Sequence, residues 1–143
     1  MLTFFTSIAG TLLVRRVAPI RLSTAMKKTL IVHPYPGIGD LIWHIPYIRA
    51  IAAQSQNGKV SLLTRPSCLA GDLLSAETCI DHIISDDYKR RDKSKGEHDG
   101  LLGKLKLSSK LRTYGFDRVV IFSDRPRYAA LAFLAGIAQR SGY

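Results

Sequence analysis

The sequence predicts an α/β fold, a parallel sheet with helices on both faces. Three observations lead there. Four short β-type runs alternate with helical patterns along 143 residues, the signature of strand–helix–strand units. The runs, such as "TLIV" and "RVVIF", are apolar nearly throughout, which suits strands covered on both sides. The first run enters "HPYPGIGD", a glycine- and proline-rich turn placed where a strand passes into a helix. With 46% hydrophobic residues the chain can build one real core and is no disordered tail.

In chain order, residues 1–25 stand apart. "MLTFFTSIAGTLLV" is too short for a membrane span, and Arg15, Arg16 and Arg21 follow it rather than precede it. The segment reads as sequence upstream of a natural start at Met26-Lys27-Lys28-Thr29, or as an organelle transit peptide. The domain proper is predicted over 26–143. Strands are expected at 29–33, 60–64, 80–85 and 118–122. Leu41, Ile45, Ile48 and Ala52 fall on one face of a first helix. Gly58 is expected in the loop before the second strand, and Pro66 opens a second helix over 67–76. A third helix spans 104–114 with Gly115 as its stop. A fourth spans 126–138 and buries Tyr128, Leu131, Ala132 and Ala135. Between the third strand and third helix, 86–103 reads as a solvated loop, with a mobile lid as the alternative. After the fourth helix few residues remain, so the domain is expected to be incomplete, with a bare sheet edge beside the fourth strand.

Formal charge is +10, from 21 basic and 11 acidic side chains, which favours anionic partners. Nucleic acid is not favoured, because no recognition motif accompanies the charge. Cys68 and Cys79 are isolated, and the four histidines form no HExxH. An intracellular protein without a metal site is expected. The glycine loop is neither GxGxxG nor a P-loop, which argues against a dinucleotide enzyme and a nucleoside triphosphatase.

In an open parallel sheet, ligands bind beyond the carboxyl ends of the strands, so the loop after the first strand lies at the crevice. Gly37 and Gly39 admit backbone angles or approaches that a side chain would block. Asp40, the only acid in the first 71 residues, falls at the helix start. It reads as an N-cap, or as an ionised carboxylate able to take a proton from an attacking hydroxyl. His44 lies one turn further on the same face, where it can bond the carboxylate or a substrate. Trp43 and Tyr47 read as packing groups in preference to sugar platforms. Arg65, Arg125 and Arg127 follow strands and are expected to point toward Asp40's crevice, as bidentate anion ligands or as ordinary surface charge. Lys104, Lys106, Lys110 and Arg112 read as a solvated helix face, or as a contact to anionic lipid headgroups.

Three segments carry a resemblance: "GIGDLIWHIPYIRAIA", "CIDHIISDD" and "LRTYGFDRVVIFSDRPRYAALAFLAGIAQRSGY". Together they resemble glycosyltransferase family 9, the ADP-heptose:lipopolysaccharide heptosyltransferases, over about residues 28–143. The resemblance implies the amino-terminal, acceptor-side Rossmann-like domain of a two-domain GT-B enzyme. It implies Asp40 as general base for inverting attack on a nucleotide-sugar donor such as ADP-heptose. Arg65, Arg125 and Arg127 become candidates for an anionic glycolipid acceptor, and neither a metal nor a cofactor is implied. It further implies a cytoplasmic protein at the inner face of the membrane, in peripheral contact with it. The chain would lack the donor-binding domain and be inactive alone, as a truncated product, as half of a split enzyme completed by a separate carboxy-terminal half, or as an inactive remnant. The alternative is a non-catalytic module that binds anionic glycans or a membrane surface.

Overall fold

The computed structural model describes residues 26–89 and 96–142; the 1–25 extension and the middle of the 86–103 loop lie outside the described residues. Among the described residues, five parallel strands form one sheet in the order β3-β2-β1-β4-β5. They are β1 (Lys27–His33), β2 (Ser55–Thr64), β3 (Ile80–Ser85), β4 (Arg118–Ile121) and β5 (Gln139–Gly142). Helix α1 (Ile38–Ala53) follows β1, the short α2 (Ala70–Leu73) follows β2, α3 (Gly100–Thr113) follows β3, and α4 (Pro126–Leu134) follows β4. This is the Rossmann-like sheet with flanking helices that the sequence predicts, with β1 and β4 meeting at the switch point.

The core has two layers because side chains alternate across the sheet. Leu30, Val32, Leu63, Ile84, Val119 and Ile121 pack against Leu107 and Leu111 of α3 and Tyr128, Leu131 and Ala132 of α4. On the other face Ile31, Val60 and Leu62 pack against Leu41, Ile48 and Ala52 of α1. The apolar spacing of α1 therefore does what it predicts. Pro46 lies inside this helix; the amide it lacks would have bonded the carbonyl of exposed Ile42, which water can satisfy.

Four expectations need correction. Residues 67–76 do not make one helix: a 3-10 turn over Pro66–Cys68 gives way to left-handed Leu69 (φ 48°) before the four residues of α2. Buried Cys68 anchors this turn by donating its thiol to the Tyr35 carbonyl (2.8 Å). Gly58 lies inside β2, not ahead of it. With Asn57 it takes φ near +60° (58° and 65°), and the register jumps from Lys27↔Ser55 to Thr29↔Val60, a bulge that glycine makes cheap. α4 ends at Leu134 rather than 138, although Tyr128, Leu131, Ala132 and Ala135 are all buried as expected. Finally, the edge of β4 is not bare. β5 pairs along it from Arg118↔Gln139 to Ile121↔Gly142. Its four residues are all exposed, so backbone hydrogen bonds hold it, not an apolar pattern.

Candidate functional site

The carboxyl ends of β1 and β4 and the first turns of α1 build a crevice. His33, the last residue of β1, is fully buried. The loop after it is fixed from the β2 side, where Ser67 donates to the Pro36 carbonyl (3.0 Å) beside the Cys68–Tyr35 bond. α1 then begins at Ile38 with Gly37 as N-cap and no side-chain cap. Asp40 thus stands in the first turn as its acid but does not cap it. Its side chain is exposed and makes no hydrogen bond among the described residues. It folds back over Gly37, where an added Cβ would sit 2.7 Å from Oδ2. Gly37 is needed for that approach. Gly39 has nothing within 4 Å of an added Cβ and no positive φ, so nothing in the structure requires a glycine there.

One turn on, the His44 ring lies stacked on Tyr35 (centroids 5.9 Å, 4°) and on Phe122 (5.0 Å, 25°). Its Nδ1 is 2.6 Å from the Asp40 carbonyl oxygen and 3.3 Å from His33 Nε2. A carbonyl only accepts, so Nδ1 carries the proton and His44 Nε2 keeps a free lone pair. A groove of about 270 Å³ is lined by Tyr35, Trp43, His44, Tyr47 and Phe122. Trp43 and Tyr47, expected as packing groups, are 74% and 59% exposed. The signal for this was available: neither falls on the helical stripe of Leu41, Ile48 and Ala52. Tyr35 sits in the proline-rich loop, where no periodicity places it, and Phe122 reads as the last residue of the fourth strand although β4 ends at Ile121.

Burial, and next the nearby His44, hold His33 below its usual range near 6.5; the Asp40 backbone and carboxylate pull the other way. A lowered histidine pKa means the unfolded chain binds more protons, so stability is full above about pH 6.5 and falls as pH drops. Denaturation midpoints measured from neutral to mildly acid pH should show this slope, and His33→Gln should flatten it. His33 Nδ1 and Thr64 Oγ1, in register on β1 and β2, are both buried without hydrogen-bond partners among the described residues.

The three arginines do not gather at the groove. Arg65 donates to the Tyr88 carbonyl. Arg127 donates to Asp86 Oδ1 (3.3 Å) and to the His98 carbonyl (3.0 Å), with its guanidinium 3.9 Å over the Tyr88 ring. Arg125 alone is exposed with its guanidinium unbonded among the described residues. The partner of Arg127, Asp86, is buried just past the end of β3 and accepts from the Tyr128 hydroxyl at 3.2 Å. His98 Nδ1 lies 3.4 Å from Asp86 but accepts the Asp87 amide (3.0 Å), so its proton sits on Nε2.

Burial first, then the Asp86 charge, push the Tyr128 hydroxyl from about 10 up to about 12. The folded state holds this proton longer than the unfolded chain, so the contribution is intact below about pH 10 and is lost as pH climbs toward 12. Tyr128→Phe should show a shallower loss of stability over that alkaline window. The described ends of the 86–103 loop also bind each other, through Asp99 to the amides of Lys89 and Gly96 and through Asp87 to Glu97. On the basic helix, Lys106 pairs with Glu97 and Arg112 caps the Leu134 carbonyl. Among the described residues, no cluster of three or more His, Cys, Asp or Glu is arranged to hold a metal.

The fold is that of a Rossmann-like parallel α/β domain with a crevice at the switch point of its sheet. Solved structures with this fold include Escherichia coli ADP-heptose lipopolysaccharide heptosyltransferase II, at 20% identity and TM-score 0.60 over 80% of this chain. They also include a family 9 glycosyltransferase from Veillonella parvula, at 17% identity and TM-score 0.64 over 81%. The chain spans only 30% and 31% of the lengths of those two proteins. The C-terminal domain of a hydrogenase from Pyrococcus furiosus shares the fold at 15% identity and TM-score 0.54, with 81% of this chain aligned to 88% of it. The chain therefore has a glycosyltransferase-like fold, and the fold alone does not select the activity. No protein-family profile and no curated protein sequence matches the chain.

Proposed function

We propose that this chain is the acceptor-side domain of an inverting glycosyltransferase similar to family 9. It would serve transfer of a heptose or related sugar from a nucleotide sugar to a lipopolysaccharide core acceptor. The observation that carries the reading is Asp40: a carboxylate exposed, unbonded among the described residues, and one turn before the groove's His44. In the reaction Asp40 takes the proton of an acceptor hydroxyl. The oxygen bonds the anomeric carbon from the face opposite the nucleotide, which leaves with its diphosphate. The donor is held by a second, donor-binding half. Two of the three arginines are engaged internally, which leaves Arg125 as the guanidinium free to meet an anionic acceptor.

The test supplies a donor-binding half in trans and measures labelled sugar passing from ADP-heptose to lipopolysaccharide core. Transfer that depends on this chain supports the reading; no transfer from a folded, associated pair removes it. Gly37→Ala should lower the rate with little effect on stability, because its methyl displaces only the end of the Asp40 side chain.

A second reading, a non-catalytic membrane-surface or anionic-glycan module, draws on α3. There Leu101, Leu102 and Leu105 are exposed among Lys104, Lys106 and Lys110. No described helix is long and apolar enough to cross a membrane, so such contact would be peripheral. Sedimentation with anionic vesicles, abolished by Leu102→Asp and accompanied by no transfer in any reconstitution, would favour it.

A further inference from the structure

We infer that the groove beside Asp40 is a saccharide-stacking subsite that reads the neutral body of a sugar ring rather than its charge. The inference deepens the proposed function and rests on it for biological meaning, but its physical basis is separate. All five lining side chains, Tyr35, Trp43, His44, Tyr47 and Phe122, carry rings, and none is a carboxylate, lysine or arginine. The arginines that would read charge at this end of the sheet are partly withdrawn: Arg65 is spent on Tyr88, and Arg127 on Asp86 and His98.

The polar edges of these rings are unspent. Among the described residues the Tyr35 and Tyr47 hydroxyls, Trp43 Nε1 and His44 Nε2 make no hydrogen bond within the protein. A surface of apolar ring faces with a few free donors and acceptors matches a pyranose, which offers C–H faces edged by hydroxyls. It does not match a lipid phosphate, which needs charge. A groove of about 270 Å³ is small for a ligand site and suits one sugar unit. The His44 tautomer adds direction: with Nδ1–H fixed on the Asp40 carbonyl, Nε2 accepts from a sugar hydroxyl. His44 itself follows Asp40 by one helical turn of α1.

Trp43 is the only tryptophan of the chain, so its emission reports on this groove alone. The experiment titrates the full chain with the methyl glycosides of mannose, glucose and a heptose, with glucuronate and with adenosine. A saturable blue shift with at least one neutral glycoside, tighter than with glucuronate or adenosine, is the expected result. Tyr47→Ala should weaken it about five- to tenfold with an unchanged far-ultraviolet circular dichroism spectrum, while Asp40→Asn should leave it in place. No response to any neutral glycoside, a stronger response to glucuronate or adenosine, or an unweakened Tyr47→Ala each overturns the inference. So does an emission shift that follows protein dilution instead of sugar, which would assign the groove to a second copy. Sugar binding without transfer would remove the proposed function and leave this inference standing; transfer with a silent Trp43 would do the reverse.

Discussion

Asp86→Ala is expected to destabilise the fold by about 3–5 kcal/mol, the usual loss when one partner of a buried charge pair is removed. The Asp86 side chain is 3% exposed and that of Arg127 13%, so neither charge is restored to water when the other goes. Asp86 meets Arg127 at 3.3 Å and Tyr128 at 3.2 Å, and its amide donates to the Thr64 carbonyl. It thus joins the ends of β2 and β3 to the first turn of α4. Its loss leaves the guanidinium without a carboxylate, and Arg127 Nε has no partner among the described residues even in the parent. Against a total stability of about 5–15 kcal/mol, urea unfolding should show a large fall in midpoint. Replacing both partners, as Asp86→Leu with Arg127→Met, should lose less than Asp86→Ala alone, since an apolar pair leaves no buried charge. A midpoint for Asp86→Ala equal to that of the parent would mean the cluster is more hydrated than its burial indicates.

The second large effect concerns chemistry. With the donor-binding half supplied, Asp40→Asn is expected to lower kcat by about 10²–10⁴-fold, the range for loss of a positioned general base. The amide keeps the shape and the contact over Gly37 but cannot accept the proton. Stability should change by less than about 0.5 kcal/mol, because the side chain is exposed and caps nothing. KM for the acceptor should hold, because the inferred sugar subsite is the aromatic groove, which Asp40 does not line. A loss confined to KM would make Asp40 a binding group. An N-cap role would show as a loss of helix stability, which the absence of a cap bond at α1 argues against.

Much of this architecture is readable from residue order. β1 and β4 follow runs whose apolar side chains the core demands, β3 forms although only Ile84 of its run is buried, and α1 follows the spacing of Leu41, Ile48 and Ala52. β5 was invisible because "QRSG" buries nothing and is held by its backbone. The second helix failed at Leu69, whose left-handed turn depends on a thiol–carbonyl bond to a loop 33 residues away. The site divides in the same manner. The positions of Asp40 and His44 on α1 are legible from a strand, a glycine turn and a helical period. The internal bonds of Arg65 and Arg127 are not legible, because position after a strand says nothing about partners elsewhere; Arg127 turns inward to Asp86, 41 residues earlier. Trp43 and Tyr47 were read as packing from residue type, when the helical period already set them off the buried stripe.

The central claim is that the unbonded carboxylate at the start of α1 takes the proton from an acceptor hydroxyl. The most direct measurement is the steady-state transfer rate of Asp40→Asn at saturating acceptor, beside the parent chain and with the same donor-binding half. The account predicts that transfer falls by at least about a hundredfold while the Trp43 response to sugar persists; transfer at the parent rate would contradict it.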